Sequence, residues 1–282
     1  WFANYLRSES IYLNNAIKCT EGLEDQQFNT EHHDIGFIIF NSYGHAYSFT
    51  GKETYKQIIL QAANSLASRY NENVGCIQSW NGEFQVIIDN MMNLELLFWA
   101  AKNGGGSHLY DMAVSHAHKT IEHHLRSDGS SFHVVHFDPK TGEVTRKRTQ
   151  QGYADSSSWA RGQAWGIYGF TMTYRETNDV TFLNAAKKMA DYFIENLPSD
   201  NIPYWDFELP ENSNKMFKDA SAATIALSAL LELRNYINTN KYNEAIDKIF
   251  NSLVNNYLST GTGSSGIINH CAYNVNSNNP FD

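Results

Sequence analysis

Glu176-Thr177-Asn178-Asp179-Val180-Thr181-Phe182-Leu183-Asn184-Ala185-Ala186 is the stretch on which the reading of the fold turns. A short Thr-Asn turn closes one segment, and an aromatic residue followed by alanines at three- and four-residue spacing opens the next. The phrase has three counterparts: Thr54-Tyr55 leads to Ala62-Ala63, Leu109-Tyr110 to Ala113, and Lys241-Tyr242 to Ala245. The aromatic positions recur every ~55 to 70 residues, a repeat of two helices each. Each phrase follows a more apolar segment that ends in a short Gly, Asn or Thr turn, such as Phe49-Thr50-Gly51. That alternation is the pattern of an inner helix followed by an outer one. Periodicity predicts helices over 5–20, 34–49, 53–71, 85–102, 107–126, 157–176, 180–197, 219–236 and 241–258. Repeated pairs either close into a toroid or run on as an open solenoid, and spacing alone leaves both possible.

Composition narrows the function classes. The 282 residues, 42% of them hydrophobic, can bury one large core, and no stretch reads as a linker, so one domain over 1–282 is expected. A formal charge of -9 offers no basic stripe for phosphates, which argues against nucleic acid as a partner. Acidic polymers stay open, because a small basic pocket can sit inside an acidic surface. No apolar run reaches the length of a membrane span. Cys19, Cys76 and Cys271 are few, odd in number and widely spaced, and are read as buried thiols. Sixteen Tyr and six Trp exceed what a helical core needs, and stacking on sugar rings is one use for the surplus. Nothing at Trp1 has the form of a secretion signal, and localisation is not legible.

Two excursions break the helical pattern. Ser131 to Phe137 reads as a strand, Asp138 to Gly142 as a turn, and Glu143 to Arg148 as a second strand. Ile202 to Pro210, with Tyr204-Trp205-Asp206-Phe207, is the other. Such interruptions between regular helix pairs are where function collects.

Among the candidates for chemistry, Asp89 lies in Val86-Ile87-Ile88-Asp89-Asn90-Met91-Met92, read as one of the most apolar helical runs. Burial there raises a carboxyl pKa and lets an acid keep its proton; the bland alternative is an Asp favoured by a helix dipole in the first turn. Asp34 follows His32-His33 at the mouth of an apolar helix, where capping alone would explain it. Gln151 to Gly166 is the densest run of polar and aromatic donors. Trp159, Gly162 and Trp165-Gly166 share a helix face, with Arg161 nearby to grip a carboxylate bidentately. Packing of those rings into the core is the alternative, although a start rich in Gly and Trp is poor design for stability alone. His133 either donates to a sugar hydroxyl or faces solvent. His116, His118, His123 and His124 read as a solvated helix face, and no metal is expected.

The strings His32 to Phe37, Gln78-Ser79-Trp80, Ile87-Ile88-Asp89, Ser131-Phe132-His133, Gln151-Gly152, Trp159 to Gly169, Pro203 to Phe207 and Asp219 to Ala223 resemble glycoside hydrolase family 88, in the family's order and over nearly the whole chain. The resemblance implies an all-α (α/α)6 barrel of twelve helices, three more than periodicity finds. The chain is thus expected to be incomplete at both termini, without an N-terminal helix and the first and last inner helices. It implies Asp89 as general acid/base and Asp34 as a second essential carboxylate. Trp80, His133, Gln151, Arg161 and Trp165 would line the pocket, with His33 and Trp159 beside them. Gln150 stands where many members carry His. The implied activity is removal of the unsaturated uronic acid that lyases leave on glycosaminoglycan-type oligosaccharides, with no cofactor. The alternatives are an unsaturated rhamnogalacturonyl hydrolase acting on pectin fragments and a non-catalytic helical-repeat binding protein.

Overall fold

The computed structural model describes residues 1–7, 9–260, 266–272 and 275. Two compact units are distinguished: Trp1–Val86 with Met92–His116 and Phe137–Glu143, and Ile87–Met91 with Ala117–His136 and Val144–Asp282.

In the first unit, α1 (Phe2–Arg7) and α2 (Ser10–Glu21) divide what the sequence reads as one helix over 5–20. A π-helical segment, Gly36–Gly44, runs into α3 (His45–Thr50), which ends at Gly51 with φ 64°, a left-handed cap that glycine adopts without strain. The following α4 (Glu53–Ala67) buries Tyr55, Ile58, Ile59, Ala62, Ala63 and Leu66, one stripe at three- and four-residue spacing, against the π-helical segment. Tyr55, the aromatic residue of the repeated phrase, meets Tyr43 edge-to-face at 5.3 Å. The predicted extension of this helix to 71 fails, because Tyr70–Asn71 (β1) pairs with Cys76–Ile77 (β2) in a small antiparallel hairpin.

The second unit is organised around α7 (Ala160–Thr177), packed against α8 (Val180–Glu195) and α9 (Ala220–Leu233). Buried positions run around most of α7, whereas α8 buries one stripe of Phe182, Ala185, Ala186, Met189, Ala190 and Phe193. The expected contrast of inner and outer helices holds for this pair. Asp179 caps α8 by accepting the Thr181 N–H at 2.8 Å, and α10 (Asn240–Ser252) packs on α9. The first excursion contains β4 (Val134–Phe137) and β5 (Val144–Arg148), close to the predicted strands.

The largest correction concerns 85–102. Gln85–Ile87 is a strand (β3), Ile88–Asn93 a 3-10 turn, and only Leu94–Ala100 is α-helical (α5). Three consecutive β-branched residues, Val86 to Ile88, favour extended backbone, and Ile88 N–H donates to the His133 carbonyl at 3.1 Å. Asp89 therefore stands on a 3-10 turn rather than in an apolar helix.

Of the cysteines, Cys76 is buried but Cys19 is exposed. The solvated histidine face on α6 (Ser107–His123) holds for exposed His118 and in part for half-buried His123, but not for the other two. His116 and His124 are buried, and the His116 Nδ1 accepts the Ile77 N–H at 3.0 Å. Among the described residues no helix is long and apolar enough to cross a membrane.

Candidate active site

Asp89 is held by what lies beneath its turn. Ile88 and Met91, which flank it, rest on α7 where that helix carries glycine. A Cβ at Gly162 would come within 3.1 Å of Ile88 Cγ2, and one at Gly169 within 2.4 Å of Met91 Cβ. The glycines that looked costly for a helix thus allow the segment bearing the carboxylate to approach the α7 backbone. The Asp89 side chain keeps 14% of its exposure, and its Oδ1 lies 3.8 Å from His133 Nε2.

His133 is fixed on three sides. Its ring stacks on Trp159 with centroids 4.4 Å apart and planes 25° from parallel. Its Nδ1 accepts the backbone N–H groups of Gln150 at 3.2 Å and Gln151 at 3.4 Å, and Thr149 Oγ1 lies at 3.3 Å. Since Nδ1 accepts, the proton of the neutral ring sits on Nε2, the nitrogen that faces Asp89. Complete burial, with His124 and Arg148 adding to it, lowers the His133 pKa to about 3, so the ring is a neutral donor at ordinary pH. Of the two expectations for His133, the solvent-facing one is excluded.

Arg161 is less available than the sequence implies. Its Nε and Nη2 donate to Asp219 Oδ2 and Oδ1 at 3.0 and 3.1 Å, and Nη2 also donates to the Ala272 carbonyl at 2.8 Å. Trp159 is buried in a cluster with Trp205, Ala272 and Val275, against which half-buried Trp165 packs. Trp159 is thus a wall of the core and the platform under His133. Gln151 is half-buried, and Gln150 is exposed with its Oε1 accepting from Arg148 Nη1 at 2.6 Å.

His33, Asp34 and Trp80 come together in the other unit. His33 Nδ1 donates to the Ser79 carbonyl at 2.8 Å, which leaves Nε2 3.1 Å from Asp34 Oδ1. Burial lowers the His33 pKa, with the Asp34 charge working against it. Trp80 meets the His33 ring edge-on at 5.8 Å. Asp34 does not cap the following segment with its side chain. The N–H of Phe37 is taken instead by Asn93 Oδ1 at 2.8 Å, so the capping explanation for Asp34 falls away.

Three residues that hold these groups were not singled out from sequence: Asp219, Asn93 and Asp206. Asp206 is buried and accepts from the Tyr153 N–H at 2.8 Å and Ser157 Oγ at 2.7 Å, anchoring the loop after Gln150-Gln151; burial raises its pKa. Each lies more than fifty positions from a group it binds, which no local pattern reports; Asp206 and Asp219 stand within strings that carry the family resemblance, but without a role attached to them there.

The sequence profile of Glycosyl Hydrolase Family 88 matches residues 3–279. An unsaturated glucuronyl hydrolase of Formosa agariphila is 42% identical across 100% of this chain and 73% of its own length. An unsaturated chondroitin disaccharide hydrolase of Streptococcus pneumoniae is 33% identical over 91% of this chain and 68% of its own length. Among solved structures, an unsaturated glucuronyl hydrolase specific for heparin superposes with TM-score 0.93 at 37% identity, covering 98% of this chain and 76% of that one. The Bacillus sp. GL1 unsaturated glucuronyl hydrolase gives 0.91 at 31% identity, covering 98% and 77%. The fold class is accordingly all-α, of the α/α-barrel kind these enzymes share. With its sequence matched almost end to end and its fold matched as closely, this chain is a glycoside hydrolase and belongs to glycosyl hydrolase family 88.

Proposed function

We propose that the chain removes the 4,5-unsaturated uronic acid from the non-reducing end of glycosaminoglycan-type oligosaccharides by hydrating the C4=C5 double bond. The family, and relatives named for unsaturated glucuronyl and chondroitin disaccharide substrates, supply the substrate class. The observation that carries the mechanism is the pairing of a largely buried carboxylate, Asp89, with a neutral histidine whose Nε2–H faces it.

In this reading Asp89 delivers its proton to C4, and positive charge develops at C5 and the ring oxygen. The resulting carboxylate then takes a proton from the water that attacks C5. The hemiketal so formed opens, expelling the rest of the oligosaccharide and leaving a keto acid. The barrier is lowered where charge changes: as Asp89 becomes an anion, the fixed Nε2–H of His133 is the donor at hand to stabilise it. This differs from the two-carboxylate scheme of ordinary glycosidases, because the double bond rather than the glycosidic oxygen is protonated. Asp34 serves as the second carboxylate, and His33 shares its proton economy through the 3.1 Å contact. The family resemblance assigns sugar contacts to Trp80 in the first unit and to Trp165 in the second. Gln150 and Gln151 bring polar side chains, and Arg161 brings what its pairing with Asp219 leaves over. The reading takes residues 1–282 as one domain and needs no metal or organic cofactor.

The test follows loss of the double bond's ultraviolet absorbance on chondroitin, heparin and rhamnogalacturonan disaccharides produced by lyases. Wild type is expected to consume glycosaminoglycan products and release keto acid, and Asp89→Asn to be slower by about 10²- to 10⁴-fold. Equal rates for the two proteins would remove Asp89 from the mechanism. Turnover of rhamnogalacturonan products alone would move the substrate to pectin.

A further inference from the structure

The pairing of Arg161 with Asp219 is built more firmly than an incidental ion pair. The Asp219 side chain is fully buried and that of Arg161 keeps 14% of its exposure. The two meet in bidentate geometry, two parallel N–H to oxygen bonds that fix the plane of the guanidinium. The third contact comes from a distant stretch of chain. Residues 270–272 lie beside the start of α9, with Ala220 N–H donating to the His270 carbonyl at 2.9 Å and Ala272 N–H to the Lys218 carbonyl at 3.3 Å. That strap brings the Ala272 carbonyl to Arg161 Nη2. Among the described residues the guanidinium Nη1 has no acceptor, so the protein holds one edge of the group and leaves the other.

We propose that Asp219 is a positioning residue for turnover: with the Ala272 carbonyl it clamps Arg161 by Nε and Nη2, so that Nη1 is the one donor edge offered to the sugar. The inference rests on the reading that Arg161 meets substrate. Two physical consequences follow. The clamped guanidinium has little rotamer freedom left to lose when substrate arrives, which is what makes a positioned donor effective. And because its charge is matched by Asp219, Arg161 acts as an oriented hydrogen-bond donor more than as a free cation.

Asp219 also caps α9, accepting the Ala222 N–H at 3.2 Å and the Ser221 hydroxyl. Asparagine caps helices about as well as aspartate, so Asp219→Asn keeps the cap while removing the charge and the second carboxylate oxygen. A fall in kcat/KM of at least about tenfold is expected for this variant, assayed well below its melting temperature, since small misplacements of a positioned group cost on the order of 10²-fold. Arg161→Lys, which cannot be gripped bidentately, is expected to lose a similar factor. The double variant should lose little more than either single one, the mark of two residues acting through one group. A loss below tenfold, or losses that multiply in the double variant, would overturn the proposal and leave Asp219 a helix cap. Absence of keto-acid release by wild type from every lyase product would instead defeat the functional reading. In that event the clamp is judged by NMR: a slowly exchanging Arg161 Nε–H signal is expected in wild type and should vanish in Asp219→Asn. Its persistence would overturn the clamp.

Discussion

At the scale of single residues, His133 shows how burial fixes chemistry. Its unfolded pKa is near 6.5 and its folded pKa about 3, lowered by loss of water and by the nearby His124 and Arg148. The folded state thus binds fewer protons than the unfolded one between these values, so stability rises with pH across the window and is fully present above the unfolded value. On acidification the protein is expected to lose stability from about pH 6.5 downward, at a slope of up to ~1.4 kcal/mol per pH unit from this residue. His33, lowered by burial, acts in the same direction, and Asp206, raised by burial, opposes it. Urea unfolding between pH 4 and 8 in wild type and His133→Gln isolates the contribution: the slope should be shallower in the variant. Identical slopes would mean that the folded ring takes up a proton as readily as the unfolded one, and that burial does not hold His133 neutral below about pH 6.5. None of this was visible in Ser131-Phe132-His133, which allowed a solvent-facing ring as readily as a buried one. The packing of Trp159 and the two backbone N–H groups decide it, and both arrive from more than fifteen positions away.

At the scale of elements, what was legible is what local pattern controls. The helix pair 157–176 and 180–197 is found at Ala160–Thr177 and Val180–Glu195, and the strand pair after Ser131 is found where alternation put it. Val86-Ile87-Ile88 was misread because a short apolar run fits a buried helix and a strand equally, and β-branching with a partner strand tipped the balance. The glycines of α7 were recognised as anomalous for a helix, but their purpose needed the third dimension: they admit the turn that carries Asp89. A Cβ at position 169 would lie 2.4 Å from Met91 Cβ, a contact that only displacement of the turn can relieve. Gly169→Ala should therefore destabilise by about 1–3 kcal/mol, despite the better helix propensity of alanine, through overpacking. It should also lower kcat, because Met91 and Asp89 share one turn. A variant as stable and as fast as wild type would show that the turn does not depend on that close approach.

At the scale of the whole molecule, charge sets the approach of substrate. The chain carries 21 Lys and Arg against 30 Asp and Glu, a formal charge of -9, while the proposed substrate is an anion. Local positive groups could reverse this, but those near the candidate residues are largely matched. Arg161 is paired with Asp219, Arg146 stands 3.8 Å from Asp155, and His133 is neutral. Arg148 donates to His136 Nε2 and Gln150 Oε1, which orients it without cancelling its charge. The net field should therefore repel the substrate at long range, and recognition falls to short-range donors and rings. Since the Debye length shrinks from roughly 30 Å at 0.01 M salt to about 8 Å at 0.15 M, adding salt should relieve the repulsion. Over that interval kcat/KM is expected to rise by about two- to fivefold while kcat stays constant, because encounter and not chemistry is screened. A sulfated disaccharide, with more charge, should show the steeper rise. Stopped assays at both ionic strengths decide it. A fall in kcat/KM with salt would mean that the basic run Arg146 to Arg148 outweighs the net charge and steers the sugar in.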